Sequence, residues 1–536
     1  MPGSDKKALI LCLFQSFAGL LFGWSNAEGS GLFSMSQYQS RFGTCDASGS
    51  CALSTTRQSA ITGLLSVGAT IGAVGSGSIA DRFGLRITCL AFIFIYLIGA
   101  AIETSAQHEY GQILVARLLT GLGVGATSGL VPVFQAEASP PRWRGLVTGS
   151  FQLCVTLGIW GVSMTNWGMS THAGDISWRI PVALQMVWAL LLFIGFALSP
   201  ESPRFLAKKG KWDHCRKNLA NLRGLAIDDP EIDAEMKEVE AATIRDQEQG
   251  DAHYGECFSP KDRILWRTMI GLLIQAGQQL TGINFFFSYG VQFAQTAGID
   301  NTYIFQIILA SVNVVFSFPG VIAVDKAGRR PVLLYGAAIM FIGQIVVGSV
   351  SKAYPDDKVA GDVLIAFTCM FVASFAASWG PVAWVVCGEA FPIRLSSLCV
   401  TLVSLLPCAS FPLLTHLSQC TASNWLFNLI IAFAAPQIQA IIGTGITFIW
   451  GGCLALFFIF VFFCVPETRG LSIEEVDALY LSRTPAWRSN KFAEDQAQTA
   501  KRASEKHYSR SVHNENAAVK ASAATSAANS DDGNLV

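Results

Sequence analysis

The sequence predicts an all-α membrane protein with about twelve transmembrane helices in two pseudo-symmetric six-helix bundles, joined by a helical linker. Three observations lead there. Of 536 residues, 51% are hydrophobic and only 14% charged, and the mean hydropathy is +0.42, a balance foreign to water-soluble enzymes of this length. Apolar runs long enough to cross about 30 Å of hydrocarbon recur along the chain. Short motifs beside those runs appear twice, in the same order.

The first bundle is expected over residues 8–200, with spans at 8–32, 57–80, 86–106, 111–135, 145–168 and 179–199. The opening "MPGSDKK" leads into the first run without a small-residue cleavage site, so residues 1–7 read as a short terminus before a helix rather than as a leader. Residues 201–265 are rich in both signs of charge at helical spacing and form the linker. The second bundle is expected over 266–465, with spans at 266–295, 302–324, 331–351, 361–389, 395–435 and 441–465. The tail, 466–536, should be disordered after about 483, where branched and aromatic residues thin out. Lys and Arg crowd the linker close to the sixth span, which places the linker and both termini in the cytoplasm.

The repeat is carried by three motifs. "DRFGLR" at Asp81 returns as "DKAGRR" at Asp325, 325 − 81 = 244 residues later. "EASPPRWRG" at Glu137 returns as "EAFPIR" at Glu389, and 389 − 137 = 252. "PESPR" at Pro200 returns as "PETRG" at Pro466, and 466 − 200 = 266. The excess in the last offset falls on 403–419, "VSLLPCASFPLLTHLSQ". That stretch reads either as a real loop or as a translated intron. Val403-Ser404 permits a donor site, Leu414-Thr415 a branch point and Gln419 an acceptor; deletion brings the offset to 266 − 17 = 249.

With these motifs the chain resembles the sugar porter family of the major facilitator superfamily, and within it the fungal hexose transporters. The likeness runs from about residue 8 to 480, through "GSIADRFGLR", "RLLTGLGVG", "VPVFQAEASPPRWRG", "PESPRFL", "QQLTGIN", "DKAGRR", "WGPVAWVVCGEAFPIR" and "PETRGLSIEEVD". It implies the major facilitator fold, alternating access, a monosaccharide substrate such as glucose, another hexose or xylose, a plasma-membrane location and a monomer working in the lipid bilayer. It also places Gln152, Gln278, Gln279, Asn284, Asn313, Trp384 and Asn428 on the sugar. The chemistry agrees: a sugar offers hydroxyls and no charge, so amides that donate and accept, beside aromatic faces, are the groups to bind it. Polar glue between helices is the competing reading of the same residues. Where the family carries two tyrosines after "QQLTGIN", this chain has Ser288 and Tyr289, with Phe22 and Phe287 left to wall the site.

The recurring acids and bases suggest a cytoplasmic gate. Asp81, Arg82, Arg86, Glu137 and Arg144, with Asp325, Arg329, Arg330, Glu389 and Arg394, set opposite charges at the ends of neighbouring helices, where they can latch the inner side and part as the halves rock. Simple positive-inside anchoring explains the bases but not the repeated acids. Gly121, Gly123 and Gly125 lie in an apolar span with no strand before them and read as close helix packing, not a nucleotide turn.

Coupling turns on "LFGWSNAEGSG" near the front. The resemblance sets Ser25 where proton-coupled members carry an aspartate facing an arginine that matches Arg117. Serine does not titrate in that range, so Ser25 points to facilitated diffusion. Glu28, a turn further on, is the alternative proton carrier, or else a cap or pore-mouth charge.

Other classes find less support. Fourteen Cys are scattered through apolar runs without ligand spacing, so no metal or cofactor is expected, and only Cys45 and Cys51, in a polar loop, are placed to form a disulfide if that loop is extracellular. No nucleophile or phosphate loop suggests an enzyme. Nothing suggests a nucleic-acid partner. A transporter-like glucose receptor remains as the reading from another class.

Overall fold

The computed structural model describes residues 6–47, 51–107, 109–139, 144–248, 263–354, 358–390, 417–471, 473–490 and 492. The first half contains α1 (Lys6–Gln15) and α2 (Phe17–Leu32), which form one span, then α3 (Ser36–Phe42) and a hairpin of β1 (Thr44–Cys45) and β2 (Cys51–Ala52). It continues with α4 (Thr55–Phe83), α5 (Leu85–Thr104), α6 (Tyr110–Ala138), α7 (Arg144–Ser170) and α8 (Ile176–Leu198). The linker folds as α9 (Pro203–Lys208), α10 (Trp212–Arg223) and α11 (Pro230–Glu248). In the second half α12 (Ile264–Leu280) and α13 (Ile283–Thr296) share a span, followed by α14 (Thr302–Ala327) and α15 (Arg329–Ala353). Then come α16 (Lys358–Ala377) and α17 (Trp379–Glu389), again sharing a span, α18 (Leu417–Ile442), α19 (Ile446–Cys464) and the tail helix α20 (Ile473–Leu481).

The described residues include nine apolar segments of membrane-crossing length, the last of which, Thr421–Cys464, holds both α18 and α19. The span formed by α12 with α13 is broken between Leu280 and Ile283. Gly282 makes that break: its φ of +87 suits glycine, and a Cβ there would lie 2.5 Å from the Trp450 ring. The expected eleventh span starts at 395, outside the described residues, where most of the insert 403–419 also lies; α18 runs on to Ile442 with Pro436 inside the helix. Past 483, Ala486–Arg488 form a 3-10 turn, and the Trp487 ring packs 5.7 Å from that of Phe463; the tail beyond 492 lies outside the described residues.

Small residues let helices touch backbone to backbone. A Cβ on Gly121 would lie 2.1 Å from the Leu65 carbonyl oxygen and one on Gly125 1.9 Å from that of Ala69, which clamps α6 onto α4. The repeated motifs also meet in space. Gly84 and Gly328, with φ of +100 and +95, turn the chain into α5 and α15 without a capping side chain of their own. The caps come from the distant motif: Glu201 accepts from the Arg86 amide at 3.1 Å, and Glu467 accepts from those of Arg329 and Arg330 at 3.0 Å each. A carboxylate at a helix N-terminus is where the backbone donors and dipole favour it. The disulfide Cys45–Cys51 closes the hairpin at the opposite end of the bundle from the linker.

Candidate functional site

Where α12 breaks, side-chain amides from both halves meet. Gln278 donates to the carbonyls of Trp379 and Gly380 at 3.0 and 2.9 Å, at the parallel break between α16 and α17. Asn424 on α18 donates to Gln275 and Gln278 at 2.8 and 2.7 Å and accepts from Gln279 at 2.7 Å. Asn284 donates to Gln279 at 2.5 Å and accepts from Asn26 at 3.3 Å, while Asn428 donates to Asn26 at 3.5 Å. The result is an unbroken amide chain from the second half to α2 in the first. Ser288, in place of a tyrosine, donates to the Asn26 carbonyl at 3.0 Å, and Tyr289 donates to the Ala432 carbonyl.

Of the residues expected on the sugar, Gln278, Gln279, Asn284 and Asn428 thus share one network. Gln152 faces the α16–α17 break from α7, with its nitrogen 3.8 Å from where a Cβ on Gly380 would sit. Asn313 is buried on α14 with its side-chain oxygen unpartnered, an acceptor that another polar group would satisfy. Trp384 is half-buried on α17 and stands outside the amide chain; the aromatic neighbour there is Trp425, whose ring lies 4.8 Å from Phe22. Gln275, Asn26 and Asn424 were missed. Asn424 lies one turn before Asn428 in α18, a spacing that puts both on one face.

The second cluster lies beside it on α2. Glu28, Glu103 and Arg117 are all at least nine-tenths buried. Arg117 reaches Glu28 at 3.2 Å and Glu103 at 2.8 Å, and donates to the Ser25 carbonyl at 3.2 Å. The Ser25 hydroxyl sits 2.8 Å from that of Tyr96, which donates to Gln185 at 2.7 Å, and Gln185 donates to Glu103 at 3.4 Å. Glu28 is therefore no helix cap or pore-mouth charge: α2 carries it into the bundle and α6 supplies its cation. Glu103, from α5, was not singled out in the sequence because nothing along the chain tells which helix faces Arg117.

The chain matches the family described as sugar (and other) transporter over residues 11–409 and 414–480. It is 34% identical to the hexose transporter HXT10 of Saccharomyces cerevisiae, over 89% of this chain and 86% of that one. It is equally identical to hexose transporter 2 of Kluyveromyces lactis, over 92% and 86%. This chain belongs to the sugar transporter family. Among solved structures, the proton:xylose symporter XylE bound to 6-bromo-6-deoxy-D-glucose superposes with a TM-score of 0.71 at 23% identity, over 89% of this chain and 100% of that one. The inward-open form of XylE from E. coli gives 0.68 at 24%, over 88% and 99%. The fold is therefore the all-α major facilitator fold, and this sugar transporter is an integral membrane carrier of sugars.

The transporter's halves are stitched together in the middle of the bundle and toward the disulfide-bearing face. Beyond the Asn26 contacts, Gln292 donates to the Ser30 carbonyl, Tyr303 to that of Gly31, and Trp425 to the Ser128 hydroxyl. On the linker face the described residues of the repeated charged motifs bond within their own half or to the adjoining linker and tail. Asp81 lies 3.8 Å from Lys208, Glu137 accepts from Ser202, and Arg86 donates to the carbonyls of Phe196 and Ala197. Arg82 is exposed, its guanidinium 5.6 Å from the Phe83 ring centroid. Arg329 pairs with Glu389 at 2.7 Å, Thr468 donates to Glu389, and Arg330 donates to the Phe462 carbonyl. Arg144 begins α7 and Asp325 lies in α14, but their side chains, like all of Arg394, fall outside the described residues.

The linker and tail are bolted to this face. Arg223 on α10 pairs with Glu235 and donates to the Ala138 carbonyl at the end of α6. Arg267, fully buried at the start of α12, pairs with Asp477 on α20 and stacks 4.6 Å from the Tyr480 ring. Burial pushes the Tyr480 hydroxyl above its ordinary range, so the ring meets the guanidinium as a neutral phenol.

Proposed function

We propose that this transporter is a plasma-membrane hexose carrier, working as a monomer with both termini in the cytoplasm, and that it couples sugar to a proton held by Glu28, Arg117 and Glu103. The observation that carries the coupling is a count of charge. Two buried carboxyls share one guanidinium. With both ionised the cluster is net negative in a place where an unpaired charge costs several kcal/mol. One proton, shared between Glu28 and Glu103, removes that cost. Facilitated diffusion rested on Ser25 standing where proton-coupled members carry a carboxylate, yet Arg117 keeps two other carboxyls, Glu28 and Glu103.

Linkage to sugar follows from α2. Asn26 touches Asn284 and Asn428, while its neighbours Ser25 and Glu28 answer to Arg117. Loss of the proton tightens the hold of Arg117 on α2; gain loosens it, freeing Asn26 to exchange its amide partners for sugar hydroxyls. Because each amide already has a partner, a sugar replaces hydrogen bonds rather than adding them, so binding is weak enough for release. Asn313, Gln152 and Trp384 complete the lining, and the repeated charges on the linker face latch that side when the halves rock together.

The test is labelled glucose uptake into proteoliposomes, with and without an inward proton gradient. Accumulation above the outside concentration only with the gradient is expected. The same final level in both cases would return the protein to facilitated diffusion, with Ser25 as the reason. The working chain is further proposed to lack 403–419: the family match passes over 410–413, and mature messenger RNA should be found without that stretch as its main form.

A further inference from the structure

A cavity of about 240 Å³ opens on the linker face, far from the sugar site, between the start of α12, the end of α19 and the chain after α20. Arg263, Trp266, Phe463, Tyr480, Arg483 and Trp487 line it. Three features mark it as built to hold something. First, Arg263 and Arg483 are the non-glycine residues with positive φ among the described residues, each at 56°. Side chains rarely accept that backbone, and such strain gathers at ligand clamps.

Second, the cations are left over. Arg267, one turn into α12, has Asp477, whereas neither Arg263 nor Arg483 has a carboxylate partner among the described residues; Arg263 lies only over the Trp266 ring, at 5.8 Å. Third, the depth is set by the ends of two spans, Ile264 of α12 and Cys464 of α19. Trp266, Phe463 and Trp487 are 39%, 55% and 48% exposed around it, the aromatic girdle expected at headgroup level. Two guanidinium-bearing residues lining one cavity beside amphipathic rings match a phosphate ester at that depth.

We propose that this cavity binds the phosphate of an anionic phospholipid from the linker-side leaflet. A headgroup seated between Arg263 and Arg483 ties the tail to α12 and α19, next to the Arg267–Asp477 pair. The shared chemistry is a phosphate ester, which a soluble phosphate also carries, so the test must separate the two.

Native mass spectrometry of the full-length protein in detergent, titrated with phosphatidylcholine, phosphatidylserine, phosphatidylinositol 4-phosphate and free inositol phosphate, reads occupancy directly. The wild type should take the anionic lipids over phosphatidylcholine. Arg263→Gly with Arg483→Gly removes both charges and also relieves the backbone, so this variant should melt no lower than wild type while losing roughly thirtyfold in anionic-lipid affinity. Arg488→Gln removes a cation from the same tail outside the cavity and should change nothing. Equal lipid affinity in wild type and the glycine variant, or an equal loss in Arg488→Gln, would overturn the proposal. Free inositol phosphate binding as tightly as the lipid would overturn the lipid source and leave a soluble phosphate in its place.

Discussion

In the second half, Gln275, Gln278, Gln279, Asn284 and Asn424 gather neutral amides at a helix break; in the first, Glu28, Glu103 and Arg117 gather charges between unbroken stretches of helix. The two halves repeat each other's charged motifs and helix caps, yet fill their centres with opposite chemistry. An amide carries its own donor and acceptor, so a neighbour, a backbone carbonyl or a sugar hydroxyl can satisfy it in turn. A buried carboxylate has no such freedom. Neutral donors such as Gln185 satisfy its lone pairs, but only its cation or a proton balances its charge. The proposed division of labour follows: amides that can exchange partners on one side, and charges that respond only to a change of ionisation on the other. Asn26 and Glu28, two residues apart on α2, bring the two together.

The comparison is broken most severely by removing the cation. Arg117→Gln leaves two carboxyls without a guanidinium and should cost about 3–5 kcal/mol, read as a large fall in melting temperature in detergent. Adding Glu28→Gln and Glu103→Gln should restore most of that stability without restoring any response to a gradient. Glu28→Gln alone is the sharper probe: accumulation against a gradient should vanish while equilibration of sugar persists. In the wild type, uptake should fall as the outside pH rises if the proton is the proposed co-substrate, and the variant should lose that slope.

On the amide side, Asn424→Ala leaves Gln275 and Gln278 without their donor and should cost about 1–3 kcal/mol. It should raise the KM for glucose roughly tenfold, with proton sensitivity intact. The smallest effect is expected from Ser54→Ala. Ser54 accepts from the Arg57 amide at the start of α4, so its loss should cost about 1 kcal/mol of stability and leave both KM and proton response unchanged.

The fold was legible because hydropathy and repetition are one-dimensional signals. Gln278, Gln279 and Asn284 were legible for a similar reason, being polar residues close together in one apolar span. Asn424 and Glu103 were not, since each gains its meaning from a residue on another helix, 146 positions away for Asn424 with Gln278. Glu28 shows the limit most clearly. Position along the helix suggested a mouth, and only the approach of α6 reveals a buried pair. The pairing of the repeated charges was half legible: Arg329 and Glu389 do meet, whereas Glu137 turns to Ser202 and Arg86 to backbone carbonyls.

The pairing of Arg267 with Asp477 has a consequence for how the chain is made. Arg267 enters the membrane with the first helix of the second half, but its counter-ion is synthesised 210 residues later. Until then a guanidinium destined for full burial has no carboxylate. The base of the second half is therefore complete only once α20 has been made: a chain that stops before it leaves a guanidinium shaped for burial without its carboxylate.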